Sequence, residues 1–229
     1  MSTDLLKRNI IFYSIIAVVI IGIYSYKSYR KMDFQRDADQ FTENSLKLCA
    51  ISYKMCNSIS QAWEEYSWGN YYFDTQTGKT DNSNTGNRAN NLVYCSTTSE
   101  LLMLQEDFFI STGVVDLLNE YKNNMDIAFK RLESAQGKYE NVFKSFEEIY
   151  IASNTIYDLA TKPNGSPDNY NSSVYSGLCG ISSSITYEFR DLDFEMCPIF
   201  NERAKEYQRS ANDEFFKKTG IECNDFLVF

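Results

Sequence analysis

Histidine is absent from the 229 residues, which removes the commonest general base and the commonest metal ligand near neutral pH. A serine or cysteine nucleophile therefore has no imidazole partner. Glycine and proline are scarce, at 10 and 3, too few for a β-sandwich or barrel that turns every roughly 8–12 residues. No CxxC pair occurs among Cys49, Cys56, Cys95, Cys179, Cys197 and Cys223, so zinc-finger and thioredoxin-like spacing is missing. No glycine-rich phosphate loop follows a strand-like run. What the chain has instead is aromatic mass, 17 Tyr and 16 Phe, enough for a real core and too much for a disordered chain. The length suits about one domain on a prior of roughly 100–200 residues each.

One segment is set apart by its apolarity. Residues 9–26 carry no charge, and Ile10–Ile23 is nearly all aliphatic or aromatic. Eighteen residues at ~1.5 Å each reach ~27 Å, just enough for a hydrocarbon core of roughly 30 Å. Tyr24, Tyr26 and Tyr29 come next, where an interfacial aromatic belt belongs, and Lys27, Arg30 and Lys31 close the run. No small-x-small cleavage site is found after it, so an uncleaved transmembrane helix over 9–26 is expected after a short tail, 1–8. Orientation is contested. Lys7 and Arg8 precede the span while Lys27, Arg30, Lys31 and Arg36 come after it, which places the remainder inside by charge count. A very short leading tail, in contrast, reads as a signal anchor that exports the rest of the chain, and the cell membrane with an extracytoplasmic domain is the expectation adopted.

Charge is uneven along the chain. Residues 1–36 hold six Lys+Arg and two Asp+Glu, which leaves 16 basic and 29 acidic residues beyond them. A body with that surplus repels nucleic acid, and no basic stripe offsets it. Nucleic-acid binding is excluded.

Beyond the span, residues 27–229 read as an all-α, elongated antiparallel bundle of three or four helices. A first helix carries Phe41, Leu48, Cys49, Met55, Cys56, Ile59, Ala62 and Trp63 at three- and four-residue spacing and ends near Trp68-Gly69. Polar loops are expected at about 69–91 and 161–173, with a shorter helix from Leu92 to Ile110 between them. The longest signal runs from Leu118 through Tyr121, Met125, Ala128, Leu132, Ala135, Tyr139, Val142, Phe146, Ile149, Ser153 and Ile156 to Ala160. Its alternating steps predict one heptad-bearing helix over Val114–Leu159, ~69 Å long, halted before Pro163-Asn164-Gly165. A last helix starts after Ser173, is kinked at Cys197-Pro198, and closes at Lys217-Lys218-Thr219-Gly220 with glycine as its cap.

Few features could carry chemistry. Glu64-Glu65, Glu147-Glu148 and the group Asp191, Asp193, Glu195 read as solvated helix faces, since a di-iron bundle would need histidine. The stretch from Asp74 to Gly86 lacks the acidic alternation of a calcium loop and reads as a flexible or hairpin loop. The six cysteines are candidates for disulfides in an oxidising space and buried thiols otherwise. Trp63, Tyr66, Trp68, Tyr71, Tyr72 and Phe73 form the most suggestive group, able to anchor a protein partner, stack on a sugar, or close the end of the bundle. No catalytic residue, cofactor or metal ligand is expected.

The pattern Leu132, Lys138-Tyr139, Phe143, Phe146, Ile149-Tyr150, then Tyr157-Asp158-Leu159-Ala160-Thr161-Lys162-Pro163-Asn164-Gly165-Ser166 and Tyr170, with Trp63 upstream, is similar to one in small membrane-anchored or lipoprotein-like helical proteins of Gram-positive bacteria. Those proteins often have Pro-Pro where this chain has Ala135-Gln136-Gly137. The resemblance implies no activity and no functional residue. The functional expectation is a membrane-anchored, non-enzymatic bundle that binds a protein partner or scaffolds at the cell surface, with heptad pairing of two copies left open. The alternative is an extracytoplasmic ligand-sensing bundle working through a separate transducer.

Overall fold

The computed structural model describes residues 3–81, 91–135, 140–164, 166, 168–170, 172–173 and 200–222, with side chains from Lys31 onward except 141 and 200–202. It is mostly helical. Helix α1 runs from Thr3 to Ser67, and the expected span at 9–26 falls where side chains lie outside those described. Among the described residues, no helix is long and apolar enough to cross a membrane.

From Phe34 onward α1 is a hub. The expected stripe of Phe41, Leu48, Cys49, Met55, Cys56, Ile59 and Trp63 is buried, but so are Leu46, Ala50 and Ile51 on other sides of the same helix. A helix apolar around its circumference is one enclosed by neighbours. Ser45 and Ser52, both fully buried, are small enough to let those neighbours approach.

Helix α1 ends where the sequence places its stop: Gly69 adopts φ +99°, a left-handed conformation that side-chain-bearing residues resist. The next segment is not the polar loop expected at 69–91. Three short strands form there, β1 (Tyr72–Asp74), β2 (Lys79–Asp81) and β3 (Leu92–Tyr94). They make an antiparallel sheet in the order β2-β1-β3, with Phe73 opposite both Thr80 and Val93. The β1–β2 hairpin is the one part of this region the composition allowed. Residues 82–90 lie outside the described set. Consequently the shorter helix, α2, starts at Thr98 rather than Leu92 and runs to Ser111. Thr97 caps it by accepting from the Glu100 backbone N–H at 3.2 Å, while the Glu100 carboxylate reaches back to Ser96, a close relative of the capping box.

The single 46-residue helix expected over Val114–Leu159 is instead two, α3 (Val114–Ala135) and α4 (Glu140–Thr161). The chain doubles back between them. Phe129 stacks on Tyr150 with centroids 4.1 Å apart and planes at 6°, and Tyr157 donates to Asn119 Oδ1 at 2.8 Å. Neither pair could meet along one straight helix. The heptad rhythm survived on both sides of the reversal because both helices present a stripe to α1. Leu118, Met125, Ala128 and Leu132 of α3 and Phe146, Ile149, Ser153, Ile156 and Ala160 of α4 are all buried, so that seam is used within one chain. Ala135 is exposed, Tyr139 falls outside the described residues, and Gly137 in the interval is a weak helix former.

Contacts set the directions. Helix α4 runs with α1, since Phe41 meets Phe146 edge to face at 5.3 Å and Cys49 bonds Ser153 at 3.4 Å. Helix α3 runs against it, with Phe41 beside Phe129 and Lys47 over the Tyr121 ring. Helix α5 (Phe200–Thr219) runs with α1. Its Arg203 bonds Asp39 at 3.0 Å and its Glu214 accepts from Tyr121 at 2.7 Å. It closes as expected, with Lys217-Lys218 in the last turn, Gly220 at φ +69° and a Gly220 N–H bond to Phe216 O at 2.7 Å. The Cys197-Pro198 kink and the acidic group at 191–195 lie outside the described residues. In place of a loop throughout 161–173, helical backbone recurs at 168–170 and 172–173.

Candidate functional site

The aromatic group divides into two sets with opposite fates. Trp63 is fully buried and meets Tyr170 edge to face at 4.7 Å and 88°. Phe73, also fully buried, is the inward residue of β1, because alternate side chains on a strand face opposite ways. These two belong to the core. Trp68, by contrast, is 81% exposed on the turn after α1, and Tyr71 is 43% exposed. Tyr66 and Tyr72 are half-buried.

Sequence reasoning missed Tyr94, assigned there to a helix. It is 57% exposed, and Val93 beside it is 39% exposed. The β1–β3 register sets Tyr94 directly across from Tyr72, and their rings meet at 5.4 Å. Tyr71 bridges Tyr94 at 6.4 Å and Tyr66 at 5.1 Å, all edge to face. The result is a chain of four tyrosines with Trp68 close by in sequence, at the C-terminal end of α1. A signal did exist: Thr97-x-x-Glu100 marks a helix start, which frees Leu92–Tyr94 to be a strand.

Hydrogen bonds hold the platform. Asp74 Oδ1 accepts from the backbone N–H of Gln76 at 2.8 Å and of Thr77 at 3.2 Å, and from the Asn91 side chain. Partial burial opposes ionisation of Asp74, but these donors outweigh it and hold the carboxyl below its usual range. Thr80 donates to Glu65, tying β2 to α1. Gly78 closes the hairpin at φ +68°, where an added Cβ would lie 2.5 Å from the Phe108 ring. Burial, then the neighbouring Tyr71 and Tyr94, push the Tyr66 phenol up, so Tyr66 offers a neutral hydroxyl at neutral pH.

No family model, curated protein or solved structure matches the chain at a significant level.

Cys49, Cys56 and Cys95 are free and buried. Cys179, Cys197 and Cys223 lie outside the described residues. Burial pushes the Cys49 and Cys56 thiols up to about 12, which makes both poor nucleophiles. Among the described residues, no group of three or more Cys, Asp or Glu side chains is placed to hold a metal ion. Glu64 is exposed and Glu65 bonded; Glu147 and Glu148 are exposed.

A second feature lies between the helices. A cavity of about 60 Å³ is bounded by Met55 and Ile59 of α1, Phe109 and Ile110 of α2, Val115 of α3 and Ala160 of α4, with Gln105 in its wall.

Proposed function

We propose that this protein is a membrane-anchored, non-enzymatic helical bundle whose exposed aromatic platform docks a protein partner at the cell surface. The reading is supported by one observation above others: Trp68, Tyr71 and Tyr94 are exposed, and the Tyr71 and Tyr94 rings meet on a framework fixed by hydrogen bonds. Aromatic side chains on a rigid support lose little conformational freedom on binding and dominate binding energy in protein interfaces. The anchor is the apolar segment 9–26, and the helices packed on α1 are the scaffold that carries the platform.

Two measurements test it. A cysteine at exposed Asn123 should react with a membrane-impermeant maleimide in intact cells above the parent protein's background; reaction only after lysis places the body inside and sinks the surface role. A photo-reactive residue at Trp68 should trap a discrete partner, and Tyr94→Ser should reduce the yield. Equal trapping from a probe at Asn124, on an exposed helical site, would remove the platform as the docking surface.

Ligand sensing through a separate transducer is the second reading, and the cavity walled by Gln105 favours it.

A further inference from the structure

The two edges of the sheet differ. At one, β2 is tied to α1 through Thr80 and Glu65. At the other, β3 pairs with β1 alone. Register decides which backbone groups β3 presents there. The Cys95 N–H donates to the Tyr71 carbonyl at 2.7 Å, and the Thr75 N–H donates to the Asn91 carbonyl at 3.0 Å. These pairs lie two residues to either side of Phe73 and Val93. Bonded and non-bonded pairs alternate along an antiparallel ladder, so Val93 turns its backbone toward β1 while Leu92 and Tyr94 turn theirs outward. Among the described residues, no strand pairs with those groups. Such an edge is a template for another extended chain.

Side chains and charge say what chain would fit. Phe73 and Val93 lie opposite each other on one face, yet Phe73 is fully buried and Val93 is 39% exposed. The inner face therefore runs past its cover at this edge. Among the described residues from Glu64 to Asp81 and from Asn91 to Glu100, the carboxylates of Glu64, Glu65, Asp74, Asp81 and Glu100 stand against a single cation, Lys79. Glu100 lies just past β3, where it accepts from the Ser96 N–H at 2.7 Å.

We infer that β3 takes an extended basic peptide segment as a fourth strand, with cationic residues opposite Leu92 and Tyr94 and an aliphatic residue between them that covers Val93. The outward backbone groups of Leu92 and Tyr94 supply the hydrogen bonds, while the Tyr94 ring and the surrounding carboxylates favour the cations. A second copy of the chain fits the edge less well, because each copy carries a net charge of −9. The inference rests on the docking reading and names the partner's chemistry.

The test uses the full-length protein, ¹⁵N-labelled in an uncharged detergent, and the peptide acetyl-Lys-Val-Lys-Val-Lys-amide. In the free protein, amide exchange should be faster at Leu92 and Tyr94 than at Val93, and the peptide should slow the first two saturably. N-methylation of two lysine nitrogens, which would face β3, should abolish binding; N-methylation of both valine nitrogens should spare it. The peptide with glutamate in place of lysine should not bind, and Glu100→Gln should weaken the lysine peptide by about two- to fivefold. No saturable slowing, equal loss from both methylations, or equal binding of the two charge types overturns the inference. Protection of Leu92 and Tyr94 that grows with protein concentration also overturns it, by giving the edge to a second copy. A partner trapped at Trp68 by a protein whose β3 ignores the peptide would keep the platform and discard this inference, so the two failures read apart.

Discussion

The helical body and the sheet at the end of α1 are built from the same aromatic stock and use it in opposite ways. In the body, Phe41 meets Phe146 inside and half-buried Phe129 at the margin, arranged by three- and four-residue spacing along α1, α3 and α4. At the sheet, Tyr71, Tyr72 and Tyr94 meet at the surface, arranged by strand register and one turn. Aromatic content alone therefore says nothing about fate. The local geometry that carries each ring decides it, and Trp63 and Trp68, five positions apart, fall on either side of that line.

The largest effect should come from testing the body's reversal. Spin labels at Asn119 and Tyr157 would lie ~57 Å apart on a continuous helix, whereas these side chains touch in the hairpin. A measured separation under about 20 Å is expected, allowing for the labels' own length; a value near that of a straight helix refutes the reversal and reopens the heptad seam for pairing copies. Next, Trp63→Ala should cost about 3–5 kcal/mol in denaturant unfolding, the range for emptying a large core site. Trp68→Ala should stay within about 0.5 kcal/mol, as exposed sites do. Similar losses at both would erase the distinction between body and sheet.

Gly78→Ala sits between these extremes. The new Cβ meets Phe108 and the backbone stays left-handed, a combination expected to cost about 1–3 kcal/mol. Pairing it with Phe108→Ala should cost less than the sum of the two, because the clash is shared.

The smallest effect is a pH dependence. Asp74 has its folded pKa lowered, so its contribution is in place above the unfolded value of about 3.9 and is lost as pH falls through the folded value. The gap in urea midpoint between the parent protein and Asp74→Asn should be widest at pH 6 and narrow steadily as pH falls below about 3.9. A gap that does not narrow at all would show that Asp74 acts by something other than its charge.

The sequence made the helical parts legible where one physical signal spoke alone. The glycine stops at Gly69, Gly113 and Gly220 and the buried stripes were readable because each arises from backbone geometry or period. The reversal after Ala135 was not, because two helices that both face α1 keep one rhythm in the sequence. The sheet was hidden for a different reason. Strands of three residues carry too little alternation to be told from a loop, and Leu92-Val93-Tyr94 is as apolar as a helix face. Only the cap formed by Thr97 and Glu100 distinguished the two, and its signal lay after the strand. Of the candidate site, the exposed half was named except for Tyr94, whose place depends on pairing with Tyr72 across 22 residues of chain.

Unbroken α-helix from Thr3 to Ser67 also turns residue count into angle. Phe34 is the first described α1 side chain in the core, so the stretch between Tyr26 and Asp33 acts as a shaft joining the apolar segment to everything that packs later. Two residues added there would turn the sheet by ~200° about the shaft. Seven would lengthen the shaft by ~10.5 Å yet bring the sheet back to within about 20° of its starting azimuth. Any partner that reaches the aromatic platform from a fixed side should therefore respond to such insertions periodically, with phase mattering more than length.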